Sequence, residues 1–369
     1  MGKTRLNRLR RALEASSIDL LILEDREGIS WLCGSADANV VLVPADDEKP
    51  VTAFTRKKEK FLERAWAKIE TKGLSHLKDT VKRSRAVEMA SDSAHGLLAS
   101  NLRDSQRIKI RDGSTLFWKV ASVKDVIELE RFKLGASVAG RLMKLALENL
   151  ETGVMEIDLN DKVVMEGRTL VYEEHEKLDP LYPEYMPMIH GVIEDNPAVK
   201  ITFGSSTAEP HALPRCRKLR KNDIVSICLV PNIDGYWVEL ELTTFTGKPS
   251  PELLEYNWFK NELLKDTLEL CCQGIRSCEV DKHVRRELKA KGLDGEVLHA
   301  SGHGIGLKLH EPPILEATGQ GLAEEPLQSG QTLAIEPGFY FKGRYGFRDS
   351  VTIVIRKNKP EVLTNLPEP

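Results

Sequence analysis

The sequence predicts an α/β (α+β) protein of two domains, residues 1–120 and 121–369. Three observations predict this. The chain has 369 residues, about twice the usual domain of ~100–200. Its first third alternates short strand-like runs with helical periodicity. A long amphipathic segment then opens a region where a strand-rich stretch, two helices and further strands follow one another.

In the first domain Leu6, Leu9 and Leu13 recur at helical spacing in a basic segment, giving a surface helix with one buried stripe. Ile18 to Leu23 reads as a strand and Trp31-Leu32-Cys33-Gly34 as a turn. Val40–Val43 and Val51–Phe54 are two short strands, with Pro44 to Pro50 as the polar turn between them. Residues 56–70 and 82–102 read as helices, and Ile108-Lys109-Ile110 as a strand.

The second domain opens with a helix over 126–150, whose Ile127, Leu134, Val138, Leu142 and Leu145 share one face. Asp125 is placed to cap it. A second helix spans 157–171, and short strands occupy 201–245. Helices over 251–273 and 278–291 follow, stopped by Gly274 and Gly292. Residues 173–197, rich in proline and acid, read as a lid or inserted loop. Tyr182, Tyr185 and Met186 are its candidates for the mouth of a cleft.

Composition excludes several classes. Lys plus Arg is 53 and Asp plus Glu is 56, a net charge of -3, so a dedicated nucleic-acid binder is not expected. The basic run Arg215 to Lys221 reads as a solvated turn. No apolar run reaches the ~18 residues of a membrane span, and no apolar segment follows the basic N-terminus as in a secretory signal. The six cysteines form no CxxC pair and are expected as reduced, cytosolic thiols.

Two strings carry chemistry. In Ser301-Gly302-His303-Gly304-Ile305-Gly306-Leu307, with His310-Glu311-Pro312-Pro313 just after, two histidines stand seven apart. In a strand that spacing puts them on opposite faces, so a turn or bulge must bring both rings to one cleft. In Ala334-Ile335-Glu336-Pro337-Gly338-Phe339-Tyr340 a carboxylate ends an apolar strand and is held in a fixed direction by Pro-Gly.

Together these strings resemble the pita-bread hydrolases: methionine aminopeptidases, Xaa-Pro dipeptidases (prolidases), Xaa-Pro aminopeptidases and creatinase. Trp31-Leu32-Cys33-Gly34 is similar to the Tyr-Leu-Thr-Gly turn of the creatinase-type N-terminal domain. Ser122-Val123-Lys124-Asp125 resembles the start of the catalytic half, and Gly204…Pro210-His211 the segment of its first active-site histidine. The resemblance implies a creatinase-type α/β domain followed by a pita-bread domain. It implies that His303 and Glu336 match two of the five metal ligands, and that His211 and His310 match two non-ligand histidines. The other ligands are Asp, Asp and Glu in the peptidases. Cys228 stands at the first, Glu239 or Leu240 at the second, and Ser350 at the third. Two dications would therefore be under-compensated. Cys228, Glu239, His303 and Glu336 would still make a set for one divalent metal (zinc, manganese or cobalt). Alternatively, Cys228 is a small core residue of the buried strand Ser226–Val230.

Three functions follow. The leading expectation is metal-independent, creatinase-like hydrolysis of a C–N bond in a small polar substrate, without cofactor. There His211, His303, His310 and Glu336 are catalytic, and Glu241 and Asp349 anchor a cationic or amide group. The second is an Xaa-Pro dipeptidase or aminopeptidase with an altered single-metal site. The third is a non-catalytic binding protein that keeps the fold. The resemblance also implies a homodimer.

Overall fold

The computed structural model describes residues 2–34, 37–56, 69–84, 86, 88–92, 109–176, 192–193, 196–197, 199–318 and 324–367. These fall into two compact units, one ending at Ala121 and the other beginning at Ser122. No helix among the described residues is long and apolar enough to cross a membrane.

The first unit is built on a mixed six-stranded sheet. Its order is Glu70–Lys72, Thr52–Phe54, Val40–Pro44, Leu20–Leu23, Glu88–Ser91 and Lys109–Asp112. Leu20–Leu23 is central and fully buried, as its unbroken apolar run requires. Leu20, Ile22, Val40, Leu42, Phe54 and Met89 pack with Leu77 and Val81 of the helix Leu77–Ser84. Two expectations need correction. Trp31 to Cys33 is the last turn of a helix, Arg26–Cys33, and Gly34 closes it at φ 79°, a left-handed end that glycine accepts without strain. Within 82–102, the helix stops at Ser84 and Glu88–Ser91 is a strand. A four-residue run does not reveal its period, and here pairing of Met89, Ala90 and Ser91 with Leu20, Leu21 and Ile22 decides it. The helix expected over 56–70 falls mostly outside the described residues.

The second unit is an antiparallel sheet with helices. The strand path runs Glu311–Ile314, Gly302–Gly304, Thr332–Ile335, Ser350–Val354, Leu240–Phe245, Ile224–Leu229 and Val199–Phe203, with Glu361–Val362 added beside Ser350–Val354. The helix Val126–Glu148 starts where expected. Asp125 accepts from the Ile127 and Glu128 amides, and the Glu128 carboxylate accepts in return from the Asp125 amide. This reciprocal cap satisfies donors that the helix end leaves open. Glu128 also accepts from the Tyr236 hydroxyl at 3.0 Å. Gly135 lies where a Cβ would come 3.0 Å from the Val238 side chain, so the helix can approach the segment leading to Glu239.

Helices Pro251–Leu270 and Ser277–Ala290 contribute to an apolar cluster of Leu263, Val284 and Leu288 with Ile224, Phe339 and Phe347. Buried Asp281 fastens the second helix to the sheet. Its carboxylate accepts from the Ser301 amide and hydroxyl and from the Ala317 amide. Glu311 is also structural, accepting from the Leu307 amide and pairing with Lys124, both side chains fully buried. The lid expected over 173–197, with Tyr182, Tyr185 and Met186, lies largely outside the described residues.

Candidate metal centre

The expected bulge is present. The pairing of Gly302–Gly304 with Glu311–Ile314 shifts register between His303 and Gly304. As a result the rings of His303 and His310 meet edge to face, centroids 4.3 Å apart. Gly304 permits the close approach, since a Cβ there would stand 2.5 Å from the Glu311 carbonyl oxygen.

The hairpin separates Glu239 from Leu240 by face. Cys228 pairs with Glu241, and Leu229 with Leu240. Glu239 and Glu241, two apart, therefore share a face, while Leu240 points to the other. Glu239 is fixed through its backbone. Its amide donates to the Thr352 hydroxyl at 2.8 Å, and that hydroxyl donates to its carbonyl at 2.9 Å. Glu336 follows the strand Thr332–Ile335 directly, with its amide on the Ser301 carbonyl at 2.9 Å.

Glu239, His303 and Glu336 thus converge, every pair of donor atoms within 4.8 Å. His303 Nε2 lies 3.7 Å from Glu239 Oε2 and 3.5 Å from Glu336 Oε1. His303 Nδ1 donates to the Gly304 carbonyl at 2.9 Å. This leaves Nε2 as the ring nitrogen that faces the two carboxylates. That Nε2 is buried without a hydrogen-bond partner. An imidazole nitrogen between two carboxylates, with no hydrogen bond to either, is an N/O donor set that suits a divalent ion. The residues present therefore fit one metal.

Of the four-residue set, Cys228 stands apart. It lines the same cavity of about 180 Å³, but its thiol lies outside the close cluster. Burial, and next the Glu241 carboxylate, push that thiol well above its ordinary range. His211 and His310 also line the cavity. His211 is exposed at its rim. Partial desolvation, then Lys200 and Arg348, hold its ring down to about 4, so it is neutral near pH 7.

Glu241 and Asp349 are not placed as the creatinase-like expectation requires. Arg348 grips Glu241 through Nε at 2.7 Å and Nη2 at 2.6 Å, and reaches Glu336 at 3.3 Å. Asp349 is buried against Lys260 at 2.7 Å and takes the Thr243 amide. Neither carboxylate lines the cavity that holds His303 and Glu336. Ser350 is fully buried opposite Glu241.

Two further contributors, Lys200 and His299, carry no motif in the sequence, while Arg348 stands in the string Gly346-Phe347-Arg348, two residues before Ser350. His299 donates from Nδ1 to the Ala300 carbonyl and accepts at Nε2 from the buried Tyr340 hydroxyl at 2.8 Å. Desolvation comes first in lowering its pKa, and Arg348 adds to it against the opposing pull of Glu336. A lysine inside the apolar run Val199–Phe203 is the available signal for Lys200.

The model of metallopeptidase family M24 matches residues 130–357. The chain belongs to this family. The creatinase/prolidase N-terminal domain matches residues 5–132 of this M24 protein. An Xaa-Pro dipeptidase of Pyrococcus furiosus is 21% identical over 98% of both chains. Dipeptidase PepE of Mycobacterium ulcerans is similar in fold, with a TM-score of 0.84, 22% identity, and 99% and 96% of the two chains covered. An Xaa-Pro dipeptidase from Bacillus anthracis superposes with a TM-score of 0.81 at 22% identity, over 100% and 99% of the chains. These likenesses bear out the α/β plus pita-bread architecture of this M24 member.

Proposed function

We propose that this M24 protein hydrolyses Xaa-Pro dipeptides or similar small peptides, using one divalent metal held by Glu239, His303 and Glu336. The observation that carries the reading is the unpartnered Nε2 of His303 between two carboxylates. The P. furiosus relative, covered along nearly its whole length, supports it. The metal-independent alternative is disfavoured because Glu241 and Asp349 already neutralise Arg348 and Lys260.

Charge supports one ion rather than two. The cavity wall carries two carboxylates (Glu239, Glu336) and two cations (Lys200, Arg348), and Arg348 is shared with Glu241 behind it. With so little negative charge in the wall, two dications would be under-compensated, and one is the better fit. A bound divalent ion supplies Lewis acidity toward a carbonyl oxygen and water. The chain's own groups do the rest. His303 presents Nε2 in a fixed direction. Arg348 orients Glu336 and keeps it ionised. Burial pulls the Glu336 carboxyl upward, but Arg348 and the histidines outweigh it and leave it at about 2. Neutral His211 at the rim is free to take a proton, and His310 walls the cavity beside His303.

Turnover of an Xaa-Pro dipeptide by protein carrying about one ion per chain, lost on chelation and regained on adding zinc, manganese or cobalt, is the expected result. Metal content and hydrolysis are measured in the same sample. Turnover that survives chelation with no ion bound would refute the reading.

A pH dependence follows. Burial first, and then the Glu336 carboxylate, push the Glu239 carboxyl up, so it keeps its proton where an ordinary glutamate has lost it. A cation needs the ionised form. Metal affinity is therefore expected to rise with pH through the Glu239 titration, with proton release on binding. Calorimetric titrations in buffers of different ionisation enthalpy measure that release. Affinity constant across about pH 5–8 would contradict it.

A further inference from the structure

Lys200 is the group in the cavity wall that the metal cluster leaves unexplained. It lies on the edge strand Val199–Phe203, directly opposite Cys228 of the next strand. It is 3% exposed. An ammonium has three donor hydrogens, and this one makes a single hydrogen bond, to the Pro210 carbonyl at 2.8 Å. Among the described residues no carboxylate stands within ion-pair distance of it.

The neighbours do not compensate for this charge. The Cys228 thiol is neutral. Glu241, one strand further on, is taken by Arg348. Arg348 itself has its donors on Glu241, Glu336 and Pro210. Burying a cation without a paired anion is costly, and here the cost falls in a cavity with room for a small ligand. Arg348 is committed to two carboxylates and Lys200 to none, so Lys200 is the cation left for an anion that enters.

We infer that Lys200 receives a carboxylate of the substrate, making this site selective for small substrates with a free carboxylate, such as a dipeptide over its C-terminal amide. The identity of the substrate rests on the peptidase reading; the carboxylate site itself rests on Lys200. The bond to Pro210, the residue before His211, holds the ammonium in place and positions it near the rim. Lys200 is a specificity-determining residue in this assignment, and no ligand of the metal.

Calorimetric titration of the full chain with L-proline and L-prolinamide tests this, with acetate and acetamide as a second pair. Neither pair contains a scissile peptide bond. The wild type is expected to bind L-proline at least about 10-fold more tightly than L-prolinamide. In Lys200→Met and Lys200→Gln that ratio should fall below about 2-fold, while Lys200→Arg keeps most of it. Metal stoichiometry of the variants should match the wild type, and thermal unfolding should show each of them folded. A purely structural Lys200 would weaken acid and amide alike and leave the ratio unchanged, which would overturn the inference. So would a wild type that discriminates neither pair. Lys200-dependent discrimination without dipeptide turnover would remove the peptidase reading and leave the carboxylate site standing. Turnover without discrimination would do the reverse.

Discussion

Replacing His303 or Glu336 by Ala is expected to cut divalent-ion affinity by more than about 100-fold and to abolish metal-dependent turnover. The magnitude follows from the geometry. Loss of an outer partner of a ligand commonly costs about 10–100-fold, and these two side chains are direct donors in a cluster of three. With three donors, removal of one leaves too few to compete with water. Glu239→Ala belongs to the same set. Cys228→Ser is the contrast: its thiol lies outside the cluster, so the change should be below about 10-fold. Metal analysis after dialysis, together with calorimetry, measures all four variants. A large loss in Cys228→Ser with little loss in Glu239→Ala would show that the ion sits nearer the hairpin rung of Cys228.

Arg348→Met is expected to destabilise the second unit by about 3–5 kcal/mol, because it leaves Glu241 buried without its cation. Glu241 is 2% exposed and its remaining side-chain bond is from the Ser226 hydroxyl, at 2.8 Å. Glu241→Met alone leaves the guanidinium with Glu336 as its remaining carboxylate and should cost less. The double variant Arg348→Met/Glu241→Met should recover much of the loss, since a buried pair replaced as a whole is often nearly neutral. Urea unfolding of the metal-free protein reads the cycle. Additive losses would show that the two side chains do not act as a pair. A second effect concerns the metal. Without the guanidinium the Glu336 carboxyl loses the charge that keeps it ionised, so the variant should bind divalent ions more weakly at acid pH.

Much of the site is legible in the sequence because its parts are local. The glycine-rich string around His303 and the Pro-Gly stop after Glu336 each fix a side chain by backbone geometry, and backbone geometry is written in short stretches of sequence. The Asp125 cap is legible for the same reason. Glu239 is legible to within one residue, and the pairing of Cys228 with Glu241 separates it from Leu240 by face. Glu241 and Asp349 mislead. Their partners, Arg348 and Lys260, stand 107 and 89 residues away, and a carboxylate in a sequence does not announce that its charge is already taken. Met89 and Ala90 read as helix because their strand character comes from pairing with Leu20 and Leu21.

Lys200, Cys228, Glu241 and Ser350 stand side by side on four adjacent strands. This rung makes its positions unequal hosts for an added charge. An aspartate at position 228 would arrive beside Lys200 and find a counter-ion waiting. A glutamate at position 350 would arrive directly opposite Glu241, and like charges facing each other across strands are destabilising. Position 228 faces Glu241 as well, so the neighbouring ammonium is what sets it apart from position 350. Of these two positions, 228 is therefore the one where this rung can carry an added negative charge beside a cation it already holds.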